Sequence, residues 1–165
     1  MTSEPARPEG FLRVTTALAA LGHPHVPRWL EVSARTSQEA ADALGVQVGQ
    51  IAKSVIFKRR SDATAVLVVT SGDRRVDEAK VAAFTGPLAR ADADFVKERT
   101  GFTIGGVAPV GHSTAPVTLI DRELFRFDEI WAAAGHPNGV FQLTPMQLEA
   151  LTGAPVADVT QAVAA

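Results

Sequence analysis

Two runs in the middle of the chain, Ser54-Val55-Ile56-Phe57 and Ala65-Val66-Leu67-Val68-Val69, are β-branched, aliphatic or aromatic at nearly every position. Such side chains fit extended backbone, where a stiff χ1 packs well on a pleated surface. The charged turn Lys58–Asp62 separates them, which predicts adjacent strands of one sheet. Neither run alternates apolar with polar residues, so both faces of these strands are expected to be covered. The rest of the chain must supply that cover.

Short helices and further strands flank the pair. Phe11, Val14, Leu18 and Leu21 recur at three- and four-residue steps, predicting a helix over about 8–21 that stops at Gly22. His23-Pro24-His25-Val26-Pro27 cannot continue it and turns the chain into a short extended piece around 29–32. Thr36 and Glu39 form a capping-box pair, Ala40, Ala41 and Leu44 give an apolar side, and Gly45 supplies the stop. Asp77 caps a helix through Phe84, and Asp92 or Asp94 caps another to Arg99. Val117–Ile120, Ile130–Ala134 and Val140–Leu143 read as strands, and Thr144-Pro145 with Gln147 starts a last helix. These helices do not fall between every pair of strands. The fold class is therefore mixed α/β of the α+β kind, a mixed sheet or partly closed barrel flanked by helices. With 165 residues, 46% of them hydrophobic, and no repeat or linker, the chain reads as a single domain over 1–165.

Cysteine is absent, which excludes disulfides, thiolate metal sites and a cysteine nucleophile. A formal charge of -2 makes broad DNA binding a poor fit and confines any nucleic-acid contact to a local patch. No stretch reaches the ~18 uninterrupted apolar residues of a membrane span, and the first ten residues lack a basic start with an apolar run. A cytoplasmic location is expected, with no membrane partner.

Glycine is densest in Gly101-Phe102-Thr103-Ile104-Gly105-Gly106-Val107-Ala108-Pro109-Val110-Gly111-His112. This stretch is either a structural turn before the Val117 strand or a cradle of main-chain N–H groups for an anion. It is neither a Walker loop nor a dinucleotide fingerprint, because no Gly-Lys-Ser/Thr follows and no helix starts after it. Lys53 enters an apolar strand and must reach solvent, pair, or serve a carboxylate or phosphate ligand. The four histidines have no metal-ligand spacing, so no metal or other cofactor is expected. No serine sits in a nucleophile elbow. Asp92/Asp94 and Asp121/Glu123 fall in cap or turn contexts and read as structural.

Ala40-Ala41-x-x-Leu44-Gly45, the run Ile51 to Lys58, Val66–Val69 followed by Gly72-Asp73-Arg74-Arg75-Val76-Asp77, the stretch Gly105 to His112, and Ile120-Asp121 occur in that order over about 37–151. In this the chain resembles the YbaK/ProX-type aminoacyl-tRNA deacylases, relatives of the editing domain inserted in many bacterial prolyl-tRNA synthetases. The resemblance implies a curved, mostly antiparallel mixed sheet surrounded by helices. It also implies hydrolysis, in trans, of the ester joining a wrong small amino acid to tRNA, typically tRNA-Pro, with prolyl-tRNA synthetase as a further partner. On this resemblance Lys53 holds the terminal adenosine and its phosphate, and Gly105, Gly106, Pro109 and Gly111 form the loop around the aminoacyl group. Ser54, His112 and His136 are candidate substrate contacts, and Lys58 and Arg90 face the acceptor stem. Trp29, Val107, Val110 and His136 are the candidate walls that gauge amino-acid size. Two other readings stand beside it: a non-catalytic tRNA- or synthetase-binding module, and an esterase for a small metabolite.

Overall fold

The computed structural model describes residues 7–163; the reading of the first residues as lacking a targeting segment falls largely outside them. In chain order the elements are α1 (Glu9–Ala20), β1 (Arg28–Trp29), α2 (Ser37–Leu44), β2 (Ile51–Arg59), β3 (Ala65–Ser71), α3 (Glu78–Thr85), β4 (Leu88–Arg90), α4 (Ala93–Thr100), β5 (Val117–Asp121), β6 (Ile130–Ala133), β7 (Gly139–Leu143), α5 (Pro145–Thr152) and β8 (Val156–Ala157). The signals that predict the helix starts are used as such. Thr36 and Glu39 close a capping box on α2, Asp77 accepts from the N–H groups of Ala79 and Lys80, Asp92 from that of Phe95, and Thr144 pairs with Gln147.

The strands form one mixed sheet in the order β1-β7-β6-β2-β3-β5-β8, with β4 added to β2 off that path. The pairs β1–β7, β6–β7, β2–β3 and β2–β4 are antiparallel; β2–β6, β3–β5 and β5–β8 are parallel. The two ends of the sheet do not pair among the described residues, so the sheet is mostly antiparallel and open rather than a closing barrel. Its longest ladder joins β2 to β3 without a break from Ala52↔Ser71 to Lys58↔Ala65. β4 and β8, of three and two residues, are too short to show a period, and the sequence does not mark them.

Cover comes from both sides. Phe11, Val14 and Leu18 of α1 pack with Leu67, Val69, Phe102 and Phe141, while Val81 of α3 packs with Val66, Val68 and Leu119 on the opposite face. A third cluster lies under α2, where Ala40 and Ala41 meet Ile51, Trp131 and Val140. Every residue of β3 is buried, as expected for its unbroken apolar run. β2 departs from that expectation: only Ile51 and Ala52 are buried, and Lys53 to Arg59 are half-buried. No described helix is long and apolar enough to cross a membrane.

Asp121, read as structural, closes this framework. Its fully buried carboxylate accepts from the N–H of Val159 (3.0 Å), the N–H of Glu123 (3.1 Å) and the hydroxyl of Thr160 (3.2 Å). It thereby ties β5 to the strand-like end of the chain. Asp121→Ala should lower the unfolding free energy by about 2–3 kcal/mol in urea titration, because it orphans a buried donor; a loss under about 0.5 kcal/mol would contradict this role.

Candidate functional site

The half-burial of β2 has a simple origin. On one side of β2 the N–H of Arg59 donates to the Thr64 carbonyl (2.9 Å); on the other the N–H of Arg60 donates to the Pro87 carbonyl (2.9 Å). Main-chain groups alternate in direction along an extended strand, and the β3 ladder has no bulge, so odd residues address β3 and even residues address the opposite edge. That opposite edge is paired with β6 at Ile51 and Ala52 and with β4 from Phe57 to Arg59. In between, the N–H and C=O groups of Ser54 and the N–H of Ile56 have no strand partner among the described residues; the Ile56 C=O faces Ala91 at the last rung of the β4 ladder.

A cleft of about 350 Å³ fills this split. Its floor is β2 from Ile51 to Ile56. Trp131, Ala132 and Ala133 of β6 close one end and Ala91, just past β4, the other; Val96, Ile104, Gly105 and Val107 line one side, Thr36, Ser37, Ala40 and Val140 line another, and Arg35 meets Gly105 where the lining closes. Lys53 is thus at the cleft, its side chain on the face opposite that of Ser54. Its Nζ donates to the Arg74 carbonyl at 3.0 Å. Burial lowers its pKa, the charge of Arg75 lowers it further, and Asp73 opposes them. The Ser54 hydroxyl is buried without a hydrogen-bond partner among the described residues. Arg35 passed unnoticed in the sequence, since a basic residue before an N-cap carries no site signal; it lies beside Gly105, where a β-carbon would sit 3.7 Å from its Cγ.

The glycine loop divides in two. Gly105, at a φ of +93° that favours glycine, faces the cleft with Val107. Gly106, Pro109, Gly111 and His112 do not line it. The Gly106 N–H donates to the Thr103 carbonyl (3.0 Å), and a β-carbon at Gly106 would lie 2.7 Å from His136 Cα, so the loop rests directly on the turn that carries His136. Pro109 is without an N–H, and the Gly111 carbonyl accepts from Arg13 Nε at 2.6 Å. Arg13 also donates to the Thr100 carbonyl (3.0 Å) and lies over the Phe102 ring. His112 Nε2 donates to the Ala108 carbonyl at 2.6 Å.

His136 and Trp29 stack on each other with centroids 4.9 Å apart, and both sit behind the cleft lining, as does the buried Val110. Lys58 and Arg90 lie on the β2–β4 pair beyond the cleft, opposite Ala89 and Phe57 respectively, so their side chains leave opposite faces of the sheet; Arg90 is exposed and Lys58 lies over the Phe95 ring. No three metal-ligating side chains converge among the described residues.

The His112 pKa is lowered, chiefly by burial and further by Arg13, against the Ala108 bond. As pH falls through the ordinary histidine range the unfolded chain gains a proton that folded His112 refuses. Stability present above about pH 6.5 is therefore lost toward acid. Burial and Arg35 lower His136 as well and add to the loss. The melting temperature should fall between pH 7.5 and pH 5, with a shallower slope in His112→Gln; an unchanged slope would mean that His112 titrates freely in the fold.

A family model described as the aminoacyl-tRNA editing domain matches residues 31–151. The uncharacterized protein YwhH of Bacillus subtilis (strain 168) is 37% identical over 119 residues, 72% of this chain and 75% of YwhH. A proline–tRNA ligase of Thermoanaerobacter sp. (strain X514) is 31% identical over 94 residues, 54% of this chain but only 16% of the ligase. A crystal structure described as a candidate trans-editing enzyme for prolyl-tRNA synthetase superposes with a TM-score of 0.88 at 42% identity, covering 95% of this chain and all of that one.

Proposed function

This chain belongs to the aminoacyl-tRNA editing domain family, and from that premise we propose that it is a trans-editing deacylase that hydrolyses the ester of a mischarged small amino acid on tRNA-Pro, released by prolyl-tRNA synthetase. A synthetase pocket shaped for proline rejects a smaller residue by only ~1–3 kcal/mol per missing methylene, so a second, separate hydrolytic site adds discrimination that binding cannot supply. The tRNA and synthetase assignment rests on the proline–tRNA ligase relatives and on the structural neighbour.

One observation carries the mechanism: among the described residues, nothing lining the cleft is His, Asp, Glu or Cys. The protein thus offers no evident general base there, and Ser54, beside a strand lysine, has no base partner to activate it. Water attacks the ester carbonyl, and the 2′-hydroxyl of the terminal adenosine orients it. The C–O bond to the 3′-oxygen then breaks, that oxygen takes the proton, and the free amino acid leaves. Of the glycine loop, Ile104, Gly105 and Val107 stand at the cleft wall, and Gly105 and Val107 supply main-chain donors to the oxyanion. Gly106, Pro109, Gly111 and His112 act behind them by holding that wall in place, and His136 acts through its contact with Gly106. Lys53 anchors the terminal phosphate, Ser54 contacts the terminal nucleoside, and Lys58 and Arg90 meet the acceptor stem.

The test is deacylation of tRNA-Pro charged in turn with each small amino acid. At least one should be hydrolysed, and Lys53→Ala should lower kcat/KM about 10- to 100-fold, the worth of one charge-assisted hydrogen bond. Binding of tRNA without hydrolysis of any member would leave a binding module instead. A 2′-deoxy terminal adenosine should abolish hydrolysis and preserve binding; full activity on it would remove the hydroxyl from the mechanism. Charge reversal at Lys58 and Arg90 should weaken activity on tRNA and flatten its salt dependence. An esterase for a small metabolite would be indifferent to that change.

A further inference from the structure

The split in the sheet exposes two donors and one acceptor in a fixed order along β2: the N–H and C=O of Ser54, then the N–H of Ile56. Unpaired main-chain groups inside an apolar cleft are costly unless a ligand or water meets them. The orphaned Ser54 hydroxyl at the same position is an independent sign that a polar group of a ligand belongs there. A peptide strand is a poor fit for this edge. The open stretch is only the four residues 53–56, about 13 Å at the rise of an extended chain, and β6 and β4 block it at both ends.

A planar group carrying one donor beside one acceptor does fit. On an extended edge the C=O of one residue and the N–H of the residue two further on point the same way, in the plane of the sheet. Above and below that plane stand apolar side chains from opposite sides of the sheet: Val96 and Val107 from the core cluster that includes Ala52, and Trp131 and Val140 from the cluster beneath α2. Such walls suit the two faces of an aromatic base.

We infer that this edge reads the 3′-terminal base of the tRNA, adenine in every tRNA: the Ser54 C=O accepts from the 6-amino group and the Ile56 N–H donates to N1. The inference rests on the deacylase reading and gives it a recognition element made of main chain. Guanine and uracil present the opposite order of donor and acceptor on that edge and are refused. The adenine is also fixed one residue away from Lys53, which leaves the lysine side chain on the strand's other face free for the backbone phosphate. The pairing is blind to side-chain identity at positions 54 and 56. That explains why residue patterns in the sequence point to Lys53 and pass over it.

The experiment compares kcat/KM for aminoacylated acceptor-stem minihelices ending in adenosine, in purine riboside, which lacks the 6-amino group, and in 7-deazaadenosine, which keeps the reading edge but lacks N7. Purine riboside should lower kcat/KM about 10-fold or more, as expected for a buried carbonyl left without its donor. The 7-deaza substrate should stay within about 2-fold of adenosine. Equal hydrolysis of the purine riboside substrate, or an equal loss on the 7-deaza substrate, overturns the inference. If none of the three is hydrolysed, the deacylase reading fails. Calorimetry with adenosine 5′-monophosphate against purine riboside 5′-monophosphate then decides the edge by itself: a preference of about 10-fold for the adenosine form upholds it, and no preference overturns it.

Discussion

β2 is held along one edge by seven consecutive residues of β3 and along the other by two strands that never meet, β6 at its start and β4 at its end. The continuous ladder, with β3 wholly buried behind it, makes β2 a stiff floor. The interrupted edge makes that floor reachable. Because β6 and β4 both bond to β2 itself, the width of the split is set by strand register rather than by loops. The cleft, the placement of Lys53 and the walls on either side all follow from where those two pairings stop.

The wall that carries Gly105 depends on a second device. The stretch from Gly101 to His112 contains no helix or strand, yet Arg13 of α1 bonds to carbonyls at both of its ends, Thr100 and Gly111, and lies against the Phe102 ring between them. α1 also approaches the turn carrying His136, where Gly10 and Gly135 meet backbone to backbone. Any side chain at either glycine would separate them. α1 lies ahead of residue 31, where the match to the family model begins. In this chain it fastens two loops of the family domain to the core.

Much of this fold is legible in the sequence because its signals are local. Caps at Thr36, Asp77, Asp92 and Thr144, and glycine stops at Gly45 and Gly101, act through hydrogen bonds or dihedral preferences of neighbouring residues. β4 and β8 are invisible because two or three residues carry no period; what makes them strands is a partner distant in the chain. β2 is the instructive case. An apolar run reads alike whether helices cover it or a cleft opens along it, so the expectation of cover on both faces is met by β3 and not by β2. In the candidate site, Lys53 and Gly105 line one cleft, whereas Gly106, Pro109, Gly111, His112 and His136 do not; at Gly106 the glycine serves close packing on the His136 turn. Arg35 and the open edge at Ser54 and Ile56 depend on tertiary pairing, and no residue pattern encodes them.

The claim that the split in the sheet is where the ligand binds can be read amide by amide. Hydrogen exchange followed by NMR, with and without a non-hydrolysable 3′-aminoacylamido-adenosine, reports on each N–H of β2 separately. Binding at the open edge predicts that the Ile56 amide slows strongly on adding the analogue, while Val55 and Phe57, already bonded to β3, change little. Tight binding with an unchanged Ile56 amide, or protection appearing elsewhere on the molecule, would contradict the account.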